Sequence, residues 1–172
     1  MTMDAGSGAD GDVEIRHADV EDGEALLELW HGFTAHLAEH DERYRHREEA
    51  NERWLSYFEN QLVDAKYGTV VVAEAGDELV GVLEARVTGG HPIFRLADHG
   101  SINGLYIEEA YRAEGIGRRL VEEAVDWFES RDRDLSFCRV DVLEGDETTA
   151  SDFADLGFEP VEHVYELRFD GD

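Results

Sequence analysis

The stretch that decides the fold is Leu105-Tyr106-Ile107-Glu108-Glu109-Ala110-Tyr111-Arg112-Ala113-Glu114-Gly115-Ile116-Gly117-Arg118-Arg119-Leu120. An apolar strand ends, a short polar turn follows, and two glycines flank an isoleucine where a helix begins. Glycine lets the chain turn tightly and lets a ligand approach amides that a Cβ would shield. The first amides of a helix have no intrahelical partner, and with the helix dipole they form an anion site. Arg112, Arg118 and Arg119 against Glu114 give residues 111–119 a net charge of +2. The spacing does not fit a dinucleotide fingerprint, because the third glycine position is Leu120, and the Gly-Lys-Ser/Thr ending of a phosphate loop is absent.

That local positive charge sits in a chain of 172 residues with formal net charge −27. A field of that sign repels phosphodiesters and anionic lipid, so neither nucleic acid nor membrane is an expected partner. Lys66 is the only lysine, and the acids are dispersed along the whole chain. This pattern resembles proteins of salt-loving microbes, in which molar salt shortens the Debye length to roughly 3 Å and screens self-repulsion. The chain has no run of about 18 apolar residues that would span a bilayer and no secretory leader, so a cytoplasmic location is expected. A single cysteine, Cys138, excludes an internal disulfide and reads as a small core residue.

Outward from the glycine turn, residues 1–12 read as a flexible leader, 13–169 as one domain and 170–172 as a tail. Val13 to Arg16 alternates as a strand. Asp19 or Asp22 can cap a first helix carrying Ala25, Leu26, Leu29, Trp30 and Phe33. A second helical stretch is expected from 42 to 63. Thr69–Ala73 and Leu79–Leu83 bracket Gly76-Asp77 as a hairpin, and 89–100 reads as a loop. Strands are expected over 101–107 and 137–143, helices over 116–128 and 147–156, and one or two closing strands over 158–169. This order gives a single-domain α/β fold. Its twisted sheet is mixed but mostly antiparallel, with about six to seven strands flanked by about four helices.

The motif Arg112-x-x-Gly115-x-Gly117, after Leu105-x-Ile107, resembles the acyl-CoA motif of the GNAT superfamily of N-acetyltransferases. A second segment, Asp146-x-x-Thr149-x-x-x-Phe153-x-x-x-Gly157-Phe158, resembles that family's later motif. The resemblance extends over 13–169. It implies a GNAT-like fold with acetyl-CoA as co-substrate. Pantetheine would lie between the strand of Leu105, Tyr106 and Ile107 and the strand at 137–142. The diphosphate would rest on Arg112, Ala113, Glu114, Gly115, Ile116, Gly117 and Arg118, with Asp146 and Phe153 nearby. It also implies direct acetyl transfer to a primary amine in a ternary complex, with no metal.

Two positions depart from that pattern. Phe153 stands where the family's Tyr protonates the leaving thiolate, and Asp146 replaces an Asn. No usual base marks strand 101–107, so Glu84, His99, Asn103 and Tyr106 are the catalytic candidates by location. An amine attacks only when neutral, and an alkyl ammonium has a pKa of about 10.4, so a base is called for.

Residues 31–60 and the 89–100 loop would build the acceptor side. Their acidity suits a cationic small-molecule amine or a peptide amine, and pairing through the C-terminal strands would make a homodimer. An alternative is a non-catalytic acyl-CoA sensor. Another is a zinc hydrolase built on His36-x-x-Glu39-His40, which matches an inverted zinc-peptidase pattern.

Overall fold

The computed structural model describes residues 12–170, so all but Asp12 of the expected leader, and the last two residues of the tail, lie outside the described residues. The chain runs β1 (Val13–His17), α1 (Gly23–His40), α2 (Asn51–Gln61), β2 (Gly68–Ala75), β3 (Glu78–Thr88), β4 (His99–Ile107), α3 (Ile116–Glu129), β5 (Cys138–Val140) and α4 (Glu147–Asp155). The strands form a sheet in sequence order. Pairs β1–β2, β2–β3 and β3–β4 are antiparallel, and β4–β5 is parallel. This is the mixed, mostly antiparallel α/β sheet with four helices that the element order implies.

Period-two alternation sorts the side chains between the faces. Val70 and Val72 of β2 pack with Leu26, Leu29, Trp30 and Phe58 of α1 and α2. Val71 and Ala73 pack on the opposite face with Ile116, Leu120, Ala124 and Phe128 of α3. At the entry to α1, the Asp19 carboxylate accepts from the Glu21 amide while Asp22 accepts from the Asp19 amide. A reciprocal cap therefore starts the turn that leads into the helix.

Four expectations need correction. The sheet has five strands among the described residues, not six or seven. The expected closing strands at 158–169 do not form, and the segment joins no sheet; Pro160 removes a ladder donor, and β5 offers an edge of only three residues. The expected strand 137–143 shortens to Cys138–Val140. The expected helix 42–63 begins only at Asn51. Its first part lacks an apolar stripe and forms short 3-10 turns, one held by the Asp41 carboxylate accepting from the Arg43 amide.

Candidate functional site

At the start of α3, Gly115 adopts φ +78°, a left-handed conformation that suits glycine. The helix's first backbone bond runs from the Arg119 amide to the Gly115 carbonyl at 3.2 Å. The amides of Ile116, Gly117 and Arg118 therefore precede the intrahelical ladder. The first turn carries no acidic residue, and no side chain caps it. Its local field is thus that of an uncapped, positive helix end. Ala113, at φ +65°, is also left-handed, so the turn 112–115 is tightly coiled back on β4. Arg112 fastens it: Nε donates to the Ile107 carbonyl at 2.9 Å, and the guanidinium lies 5.4 Å from the Tyr106 ring centre. Arg118 leans toward the Asp155 carbonyl, whereas Arg119 donates to the Val13 carbonyl and ties α3 to β1.

The β4–β5 pairing covers only Gly100–Ile102 against Cys138–Val140. Beyond it the two segments diverge around a cavity of about 110 Å³. One wall is 102–106 of β4 and the other is 140–143, with Phe33, His36 and Leu37 of α1 above and Asp146, the N-cap of α4, with Thr149 and Phe153 of α4 at the side. Among the described residues, the β5-facing edge of β4 past Ile102 has no strand partner, so main-chain polar groups of 103–107 border the gap.

A bulge shapes this wall. Glu84 faces Gly104 and Ala85 faces Ile102, leaving Asn103 as the extra residue. Ile102, Leu105 and Ile107 consequently share one core although their spacing breaks period two. Gly104 is required by close approach, because a Cβ there would lie 2.7 Å from the Trp30 ring.

Of the candidate catalytic residues, the structure brings Glu84, Asn103 and Tyr106 together. Asn103 and Tyr106 line the cavity. Glu84, only 8% exposed, stands behind Asn103 and accepts from its Nδ2 at 3.0 Å. Burial pushes the Glu84 carboxyl above its ordinary range, partly offset by that bond, the Arg86 charge and the Trp54 indole. His99 lies elsewhere, at the opposite end of β4. It is buried, stacked on Phe137 at 4.9 Å and bonded through Nδ1 to the Ala97 carbonyl.

Leu105, Tyr106, Asp146 and Phe153 all reach the cavity, and Ile107 lies in the core with its carbonyl held by Arg112. Phe153 packs edge-on against Phe158 at 5.2 Å. Asp146 caps α4 through the Thr149 amide. Burial alone would raise its pKa. Bonds from Thr149 and His36 outweigh that and hold the carboxyl below its usual range.

His36 on the cavity wall is the residue whose carboxylate partner sequence reasoning missed. The His36-x-x-Glu39-His40 spacing singles out both histidines. Glu39, however, is exposed, and the carboxylate they meet is Asp146, more than a hundred residues away.

The family model described as "Acetyltransferase (GNAT) family" matches residues 28–158. An uncharacterized N-acetyltransferase of Archaeoglobus fulgidus is 30% identical over 124 residues, 72% of this chain and 79% of the relative. Among solved structures, a Bacillus halodurans protein, BH1408, superposes with TM-score 0.75 at 19% identity, covering 91% of this chain and 99% of that one. The aminoglycoside 6'-N-acetyltransferase AAC(6')-Ih of Acinetobacter baumannii gives TM-score 0.72 at 14% identity, covering 91% and 97%. An aminoglycoside N-acetyltransferase, AAC(6')-Iy, solved in complex with CoA gives TM-score 0.71 at 15% identity, covering 91% and 93%.

Proposed function

The chain belongs to the acetyltransferase (GNAT) family of acyl-CoA-dependent N-acyltransferases, and from that premise we propose that it moves acetyl from acetyl-CoA directly onto a primary amine. The observation that carries this reading is the uncapped end of α3: unladdered amides at 116–118 behind a left-handed glycine, with no acid in the first turn. Those amides would hold the diphosphate, and the arm of the co-substrate would run into the gap between β4 and 140–143.

The amine nitrogen attacks the thioester carbonyl, forming the C–N bond. The oxyanion is met by a main-chain amide near Tyr106–Ile107 on the open β4 edge. The C–S bond then breaks and the thiolate leaves; an ordinary thiol has a pKa of about 8.5, so departure needs only modest help where Phe153 replaces a tyrosine. The amine's proton passes by water to Glu84, with Asn103 orienting the approach. His99, stacked and bonded away from the cavity, has no part in this scheme.

Acidity around the acceptor side and the aminoglycoside acetyltransferases among the structural neighbours support a cationic small-molecule amine as acceptor. The charge of −27 with one lysine supports a protein adapted to molar salt, working in the cytoplasm. We read the protein as a homodimer formed through its C-terminal segment, where Val164, Tyr165, Leu167 and Phe169 are almost fully exposed. Apolar surface of that kind is normally covered.

An amine panel assayed in molar KCl for free thiol tests the activity. Amine-dependent thiol release from acetyl-CoA is expected. Stabilisation by acetyl-CoA with no release for any amine would replace catalysis by a sensor role, the reading that the phenylalanine at 153 favours.

A further inference from the structure

Asp146 is 4% exposed, and a carboxylate buried that deeply needs compensating charge. Among the described residues no arginine or lysine pairs with it; its ion-pair partners are His36 and His40. These histidines are one turn apart on α1, with both Nε2 atoms turned onto the same carboxylate. His36 Nε2 lies 2.8 Å from Oδ2 and makes a hydrogen bond. His40 Nε2 lies 3.6 Å from Oδ1, too far for one, so hydrogen bonding does not account for its orientation. One ligand atom from each residue lies within 4.8 Å of the other two.

Three donors around a tetrahedral ion with bonds of roughly 2.0–2.1 Å stand about 3.3 Å apart. The two histidine–carboxylate separations, each to a different oxygen of Asp146, lie on either side of that value. Two imidazoles and one carboxylate suit Zn2+ and its first-row neighbours, whereas Mg2+ and Ca2+ prefer all-oxygen sites. We propose that His36, His40 and Asp146 form a three-ligand site for a divalent transition-metal ion of the Zn2+ class, clamping the end of α1 to the head of α4. His36 and Asp146 also line the cavity, so an ion held by them would border it. The Thr149 amide donates to Oδ1 of the same carboxylate and fixes its orientation, as outer partners of metal ligands do. Glu39, on the exposed side of α1, has no place in the site.

The test is independent of acetyl transfer. Protein purified without a histidine tag and stripped with chelator is titrated with Zn2+ alone in molar KCl, with excess Mg2+ to occupy surface carboxylates. One equivalent binds tightly, shifts the ring resonances of His36 and His40, and raises the melting temperature. His36→Ala, His40→Ala and Asp146→Asn each weaken binding on the order of 100-fold or more. The asparagine keeps an oxygen for the Thr149 amide, so the helix cap and fold survive. Glu39→Gln binds as the parent does. Absence of stoichiometric uptake under Mg2+, or uptake that persists in the His36→Ala/His40→Ala double variant, overturns the site.

Discussion

Asn103 Nδ2 donates to Glu84 Oε2 at 3.0 Å, which places a buried carboxylate one hydrogen bond behind the cavity wall. The contact exists because Asn103 is the extra residue of the β4 bulge, so that a position otherwise committed to the ladder turns toward the cavity.

If Glu84 takes the amine's proton, Glu84→Gln lowers kcat by about 100-fold while KM for acetyl-CoA stays unchanged. The base must be ionised, so the parent's rate falls as pH drops through a midpoint above 4.5, and the variant lacks that limb. Stability moves the other way. A raised carboxyl pKa contributes its full stabilisation below 4.5 and loses it as pH rises through the folded value. The parent therefore loses stability relative to Glu84→Gln across that window. A variant with the parent's pH–rate profile removes Glu84 from the chemistry.

Phe153 is buried on the cavity wall against Phe158, so its contribution is packing. Phe153→Ala is expected to cost about 3–5 kcal/mol of stability in urea titrations. Phe153→Tyr, which places a phenol on the cavity wall where the proposed thiolate would leave, should keep or raise kcat. A folded Phe153→Leu enzyme without turnover would show that the ring itself is needed for catalysis.

At Gly104, a methyl group would press against Trp30 at 2.7 Å and push α1 off β4. Gly104→Ala should destabilise by about 1–3 kcal/mol and raise KM for the amine more than for acetyl-CoA. Denaturant midpoints and paired saturation curves check both. An unchanged midpoint would mean that α1 yields without cost.

Much of this arrangement is legible in the chain. The 3.6-residue stripe of 116–128, the β-branched run at 69–73 and the glycine pair are local signals, and each produces the element it implies. The bulge was also encoded, since Ile102, Leu105 and Ile107 break period two and demand an extra residue between them. The meeting of His36 with Asp146 was not, because no spacing links residues 110 positions apart. The tail misled for a related reason. Alternation in 158–169 satisfies the pattern of a strand, but pairing needs an edge to pair with, and β5 is three residues long.

That exposed tail predicts the assembly. Light scattering in molar KCl should give twice the 19.4 kDa chain mass, and Val164→Glu with Leu167→Glu should give the single mass with the fold intact by circular dichroism. A monomeric parent at all concentrations would mean that the apolar tail is not an interface.

If the head of α3 grips a diphosphate, calorimetric titration in molar KCl with CoA and, separately, with pantetheine lacking phosphates shows it. One CoA should bind per chain with measurable heat, and pantetheine at least tenfold more weakly, a difference of about 1.4 kcal/mol or more. Equal affinity for the two, or no heat with CoA, would mean that the head of α3 does not hold the diphosphate.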